Sequence, residues 1–221
     1  MTTSVSTDLF PTSYFPPVAL MAAMVQSLER QRGERCLILE CCETFPKQTH
    51  RNRTVIVTSN GTMSLCVPLL RPEGNHTTTS NIGICYAERW NINHWRAIQS
   101  AYNSSPYFLY YRDEIEKLLL ERYDKLIQLN EAILRKLLRM LKYDCEIQYS
   151  GNYLKGSEIE RDYRDLFSYK HPERLPHLLE YTQVFADRMA FNPNVGILDL
   201  LFNLGPESRE YLLGIAVGMK G

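Results

Sequence analysis

Two adjacent prolines, Pro16-Pro17, constrain this chain more than any other feature. A proline has no amide hydrogen to give a sheet, so the pair stops the β-favouring aromatic run Leu9–Phe15, while its fixed φ suits the first turn of a helix. The apolar stretch behind it reads as a helix over Val18–Glu29, and Cys36–Glu40 (CLILE) reads as a buried strand. A strand, a loop, a helix and a second strand therefore open the chain. Further on, Thr54–Thr58 and Thr62–Pro68 flank Asn60-Gly61, the strongest short hairpin signal a sequence carries.

The remaining elements follow from periodicity and punctuation. Arg71–Asn81 is polar and broken by Pro and Gly, a surface loop before a short strand near Ile82–Tyr86. Trp90–Tyr102 has helical spacing. Apolar residues at Ile115, Leu119, Tyr123, Leu126, Ile133, Leu137 and Leu141 predict one long amphipathic helix near 113–142, roughly 45 Å in length. Acids crowd its first turn and bases its last, as the helix dipole favours. Polar Ser150–Glu173 is expected to hold one short helix at Ile159–Phe167, and Tyr181–Phe185 (YTQVF) reads as a strand. A last helix starts at Gly196, carries Asp199 in its first turn and stops at Gly205. Together these predict an α/β fold, a single domain over 1–221 with a mixed β-sheet in its N-terminal part and helices packed on it.

Composition then removes several function classes. With 221 residues, 44% of them hydrophobic, the chain can bury a substantial core. Its 25 basic residues balance 25 acidic ones, so no overall field attracts nucleic acid or an anionic membrane. No stretch approaches the roughly 20 apolar residues of a membrane span, and the apolar run Val18–Val25 lacks the basic flank of a signal peptide. Six cysteines without a CxxC pair read as reduced thiols, which points to a cytoplasmic protein. His50, His76, His94, His171 and His177 show no paired ligand spacing, and no glycine-rich dinucleotide loop, P-loop or serine elbow occurs. Neither a metal nor a cofactor is expected.

Two stretches carry candidate chemistry. KQTHRNR, from Lys47 to Arg53, concentrates cations behind Glu40 and Glu43. On an extended chain Arg51 and Arg53 share a face and Asn52 points away, and two guanidiniums on one face can grip a phosphate or carboxylate through bidentate hydrogen bonds. The competing reading pairs these arginines with Glu40 and Glu43 as solvated strand charges. In RWNINHW, His94 lies one helical turn after Trp90, where an imidazole suits a general base or simply packs between tryptophans.

PTSYFPP, KQTHRNR with its Asn-Gly hairpin and the LCVPL strand, RWNINHW, AYNSSPYF, YTQVF and ILDLLFNLGPES resemble in combination the WbqC-like family, from about Leu9 to Leu212. Members of that family occur in clusters that build surface polysaccharides such as O-antigen. The resemblance implies a transferase moving an acyl or glycyl group onto an amino sugar, or a non-catalytic protein that binds a nucleotide sugar or scaffolds glycan assembly. Its partners would be a small-molecule activated sugar or acyl donor and other glycan-pathway enzymes. It implies Lys47, Arg51, Arg53, Trp90 and Asn203 as substrate-binding residues, with Asn52 orienting a carbonyl and His94 accepting a proton. Three departures stand out: Phe10-Pro11-Thr12 where relatives often carry His-Gln-Pro, His50 at a position often aromatic, and Gly196 in place of a frequent Ser.

Overall fold

A computed structural model describes residues 8–31, 33, 35–155, 158–166 and 175–217. Strand β1 (Asp8–Pro11) is wholly buried, because Leu9 and Phe10 are apolar and the strand lies inside a sheet. Helix α1 (Val18–Arg30) carries the chain back to β2 (Cys36–Glu40), which pairs parallel to β1 in the register Leu9 to Ile38. The sheet is completed by β7 (Glu146–Tyr149) beside β2 and β8 (Arg161–Asp162) beside β1, both parallel, in the order β7-β2-β1-β8. Buried on nearly every side, α1 shows apolar residues almost without interruption from Val18 to Val25 and packs against the C-terminal helices α5 (Ile197–Leu204) and α6 (Ser208–Gly214).

The α/β class is as the sequence predicts. Its parallel and antiparallel pairings are divided between separate sheets, however. Among the described residues the antiparallel strand pairs are a hairpin of β3 (Arg53–Thr58) and β4 (Gly61–Cys66) and the short pair β5 (Leu69–Leu70) with β6 (Gly83–Ile84), beside isolated antiparallel bridges such as Pro17 to Gly196 and Thr44 to Thr78. Gly61 pairs with Thr58 directly after the two-residue loop Ser59-Asn60 and holds φ +106°, which a glycine adopts without a Cβ penalty. Helix α2 spans Trp90–Tyr102 and buries Trp90, His94, Trp95, Ile98, Ala101 and Tyr102.

The expected long helix is two helices, α3 (Phe108–Leu120) and α4 (Leu126–Met140). The apolar stripe runs through the break, which is why periodicity alone misses it. Tertiary hydrogen bonds open the chain there: Tyr123 N–H donates to Tyr86 Oη at 3.1 Å, Ile84 N–H to the Asp124 carbonyl at 3.0 Å, and Leu126 N–H to the Ile82 carbonyl at 3.0 Å. A reciprocal pair of bonds between Lys125 and Gln128 restarts the helix. Lys136 reaches Glu114, a residue that would lie roughly 33 Å away along one straight helix.

Two further expectations give way. Residues 159–166 hold strand β8 and a turn in place of a helix, and Phe167 and His171 lie outside the described residues. Tyr181–Phe185 forms no strand; it is a loop whose Tyr181 Oη and Gln183 Nε2 donate to Asp199 Oδ2 at 2.6 and 2.9 Å. Asp199 is completely buried, and burial raises its carboxyl pKa despite those bonds. Gly196 has a steric reason: a Cβ there would stand 2.2 Å from Thr54 Oγ1 and 3.1 Å from the Val55 carbonyl, to which Gly196 N–H donates at 2.7 Å.

Candidate functional site

In a parallel sheet the carboxyl ends of all strands emerge on one edge, and open α/β folds place their ligands there. Here β1 delivers Thr12 and Ser13 to that edge, β2 ends on Glu40 and continues into Cys41, Cys42 and Glu43, β7 leads to Ser150, and β8 ends on Asp162 before Arg164. The loop Phe45–Asn52 crosses the same edge. It is held there by Tyr14 N–H and Ser13 Oγ, both donating to the His50 carbonyl at 3.0 Å.

The edge is densely polar. Glu40, with no exposed surface, accepts from Ser150 Oγ at 2.9 Å, from Cys42 N–H at 2.7 Å and from Arg164 Nη1 at 3.3 Å. Arg164 also forks onto Asp162, with Nη2 at 2.5 Å from Oδ2. Burial pushes the Asp162 carboxyl upward, but the hydrogen bonds from Arg164, aided by the charge of Arg51, bring it below the usual carboxylate range. Arg51 Nε donates to Glu43 Oε1 at 2.6 Å and its Nη1 to Thr49 Oγ1 at 2.7 Å. Burial holds Glu43 above its ordinary value in spite of Arg51, with Glu40 and Asp165 adding repulsion. Two buried polar atoms on this edge, Arg51 Nη2 and Thr12 Oγ1, have no hydrogen-bond partner among the described residues.

The sequence-predicted residues divide into groups. Arg51 is only 3% exposed in its side chain and lies in the turn before β3, whereas Arg53 is the first residue of β3; the expected shared strand face does not form. Glu43 takes Arg51, as the competing reading anticipated, but in a buried pair. Arg53 is half-buried opposite Cys66, and its Nε has no hydrogen-bond partner among the described residues. Asn52 turns its amide to the Val67 carbonyl at 3.1 Å and to Cys66 Sγ at 3.2 Å, which ties the end of β4 to the loop. Lys47 is exposed and makes no ion pair among the described residues. Asn203 is buried in α5 and donates back to the Asp199 carbonyl at 2.8 Å, an intrahelical bond.

His94 and Trp90 lie on α2 across Tyr14. The Tyr14 hydroxyl is 2.8 Å from His94 Nδ1, and the Trp90 and His94 rings meet edge to face with centroids 5.1 Å apart. Burial lowers the His94 pKa to about 4. Tyr14 thus links the two candidate stretches, its backbone bound to His50 and its hydroxyl to His94. Sequence reasoning passed over Tyr14, Thr12, Asp162, Arg164 and Ser150. Thr12 had one usable signal, its position directly after the first strand, where a parallel sheet collects functional side chains.

The N-terminus of α1, where many α/β proteins hold phosphate, is closed. Val18 N–H donates to the Val195 carbonyl and Ala19 N–H to Asn194 Oδ1, each at 3.0 Å. Two hollows of about 390 and 800 Å³ lie elsewhere, the first lined by Val57, Tyr181, Gln183 and Asn192 and the second by Tyr110, Lys136, Arg139 and Arg209; neither touches Arg51 or His94. No helix of the described residues is long and apolar enough to cross a membrane, and no group of three metal-ligating side chains occurs among them.

Comparison with known proteins adds to this geometry. The family model described as the WbqC-like protein family matches residues 14–168. An uncharacterized protein of Mycobacterium tuberculosis is 26% identical over 196 residues, covering 76% of this chain and 83% of that protein. No solved structure matches.

Proposed function

Starting from a chain that belongs to the WbqC-like protein family, we propose a transferase of glycan assembly that moves an acyl- or glycyl-type group from an activated donor onto an amino sugar of a surface polysaccharide such as O-antigen. The observation that carries this reading is the unfinished hydrogen bonding at the carboxyl edge of the parallel sheet. Arg51 Nε and Nη1 donate to Glu43 and Thr49, while Nη2 and the hydroxyl of Thr12 stay buried without partners among the described residues. A buried donor without an acceptor costs roughly 1–3 kcal/mol, so two such donors on one edge call for a ligand or ordered water to complete them. Oxygen atoms of a phosphate, carboxylate or acyl carbonyl have the chemistry to accept from both.

The roles change accordingly. Arg51 becomes the donor-binding residue, and Thr12 joins it. Arg53 and exposed Lys47 supply positive charge at the rim, with Trp90, Asn52 and Asn203 supporting the loops and helices around it. Glu43, raised by burial towards the range of a general base, receives the proton from the acceptor amine as its nitrogen bonds the acyl carbon and the leaving group departs with its electron pair. Partners of this reading are the small-molecule donor and other enzymes of the glycan pathway, and its setting is the cytoplasm.

A thermal-shift screen against nucleotide sugars, coenzyme A and acyl phosphates tests it. A ligand at 100 times its dissociation constant stabilises the fold by about 2.7 kcal/mol. Arg51→Lys and Thr12→Val are each expected to abolish that shift. A screen in which no compound stabilises the wild-type chain, or in which both variants keep the full shift, overturns the assignment. Binding without turnover of any amino-sugar acceptor favours the binding or scaffolding protein over the transferase.

A further inference from the structure

We infer that Tyr14 is a positioning residue that fixes His94 as a neutral imidazole with its hydrogen on Nε2, so that His94 presents an N–H donor and not a base. The assignment rests on hydrogen-bond accounting. Tyr14 Oη lies 2.8 Å from His94 Nδ1 and has no other hydrogen-bond partner among the described residues. Tyr14 is 0% exposed, so bulk solvent does not reach it. Were the hydrogen on Nδ1, the imidazole would donate to the phenol oxygen and the phenol's own hydrogen would be left in the core without an acceptor, the costly case of a buried unmade bond. The phenol therefore donates, Nδ1 accepts, and the ring hydrogen sits on Nε2.

The surroundings keep both rings in place. Tyr14 is pinned at its backbone by the His50 carbonyl at 3.0 Å, and its ring meets Phe15 and Trp90 edge to face with centroids 4.9 and 6.4 Å apart. Trp90 packs edge-on against His94 as well. The next residue, Phe15, holds φ +43°, a left-handed conformation that costs a non-glycine residue energy and persists only where neighbours impose it. Burial pushes the Tyr14 hydroxyl well above its ordinary pKa and lowers that of His94, so both members stay uncharged and the bond stays intact. A neutral N–H held this rigidly can stabilise negative charge developing on a substrate oxygen. That consequence rests on the transfer reading above, whereas the tautomer itself does not.

The test is a two-bond nitrogen–proton correlation spectrum of the full chain with nitrogen-labelled histidine. His94 is assigned as the imidazole whose signals vanish in His94→Gln. The expected result is a neutral ring with an unprotonated, hydrogen-bonded Nδ1 and a protonated Nε2, and in Tyr14→Phe a Nδ1 signal shifted towards that of a free, exchanging imidazole. A wild-type ring protonated on Nδ1, or a His94 pattern that Tyr14→Phe leaves unchanged, overturns the inference. Should Tyr14→Phe fail to fold, the wild-type spectrum alone decides the tautomer. An unsuccessful ligand screen leaves this spectrum untouched, so failure of the transfer reading and failure of this one are told apart.

Discussion

Removing the Arg51 guanidinium exposes how the carboxyl edge is balanced. The Arg51 and Glu43 side chains are 3% and 13% exposed, and Nε to Oε1 is 2.6 Å, so the pair is dry and close. Arg51→Met keeps the aliphatic stem but leaves Glu43 as an uncompensated buried carboxylate and strips Thr49 of one donor. Breaking one side of a buried pair costs about 3–5 kcal/mol, a large share of the roughly 5–15 kcal/mol that holds a domain together. The cost depends on pH with a definite sign. Glu43 already has a folded pKa above its unfolded value, and losing Arg51 raises it further. A carboxyl of that kind binds more protons folded than unfolded, so its stabilising contribution is complete below the unfolded pKa of about 4.3 and is lost as pH rises through the folded value. Urea unfolding of Arg51→Met should therefore show a deficit that grows from pH 4.5 to pH 7, and Glu43→Gln in the same background should recover most of it. A pH-independent loss below about 1 kcal/mol, with no recovery in the double variant, refutes the argument that the pair is buried and mutually dependent.

Other expectations are narrower. Gly196→Ser, which installs the residue frequent in relatives, should cost about 1–3 kcal/mol in urea unfolding, because its Cβ collides with Thr54 Oγ1 and the Val55 carbonyl. His94 has a folded pKa near 4 against about 6.5 unfolded, so the stability it contributes is present above pH 6.5 and lost as pH falls towards 4; His94→Gln should flatten that arm by about 3 kcal/mol, read from paired wild-type and variant melts. Asp199→Ala should speed limited proteolysis within 180–192, since Tyr181 and Gln183 lose their acceptor; an unchanged cleavage pattern would show that the loop is held by other contacts. Glu114→Gln should change stability by less than about 0.5 kcal/mol, because Glu114 and Lys136 are 52% and 26% exposed.

What could be read before the coordinates, and what could not, divides along the range of the forces involved. Pro16-Pro17, Asn60-Gly61 and the apolar spacing of Trp90–Tyr102 mark elements whose geometry depends on the residues themselves, and all three lie where the sequence indicates. The break at residues 121–125 escaped notice because its cause is not local: its backbone is hydrogen-bonded to Ile82, Ile84 and Tyr86, some forty residues earlier. YTQVF has β-favouring residues, yet its polar side chains turn inward to a buried Asp199 and its backbone pairs with no strand among the described residues.

The same division holds at the site. The sequence by itself determined an α/β fold, the places of its main turns and the stretches that carry unusual charge, since proline, glycine and apolar periodicity act through neighbours in the chain. Only the tertiary structure decided that Arg51 is buried against Glu43 while Arg53 Nε has no partner among the described residues, that Thr12 lies on an edge shared with Asp162 and Arg164, and that Tyr14 joins His50 to His94. Those outcomes depend on desolvation and on hydrogen bonds between residues up to 124 positions apart, and neither quantity exists until the chain has folded.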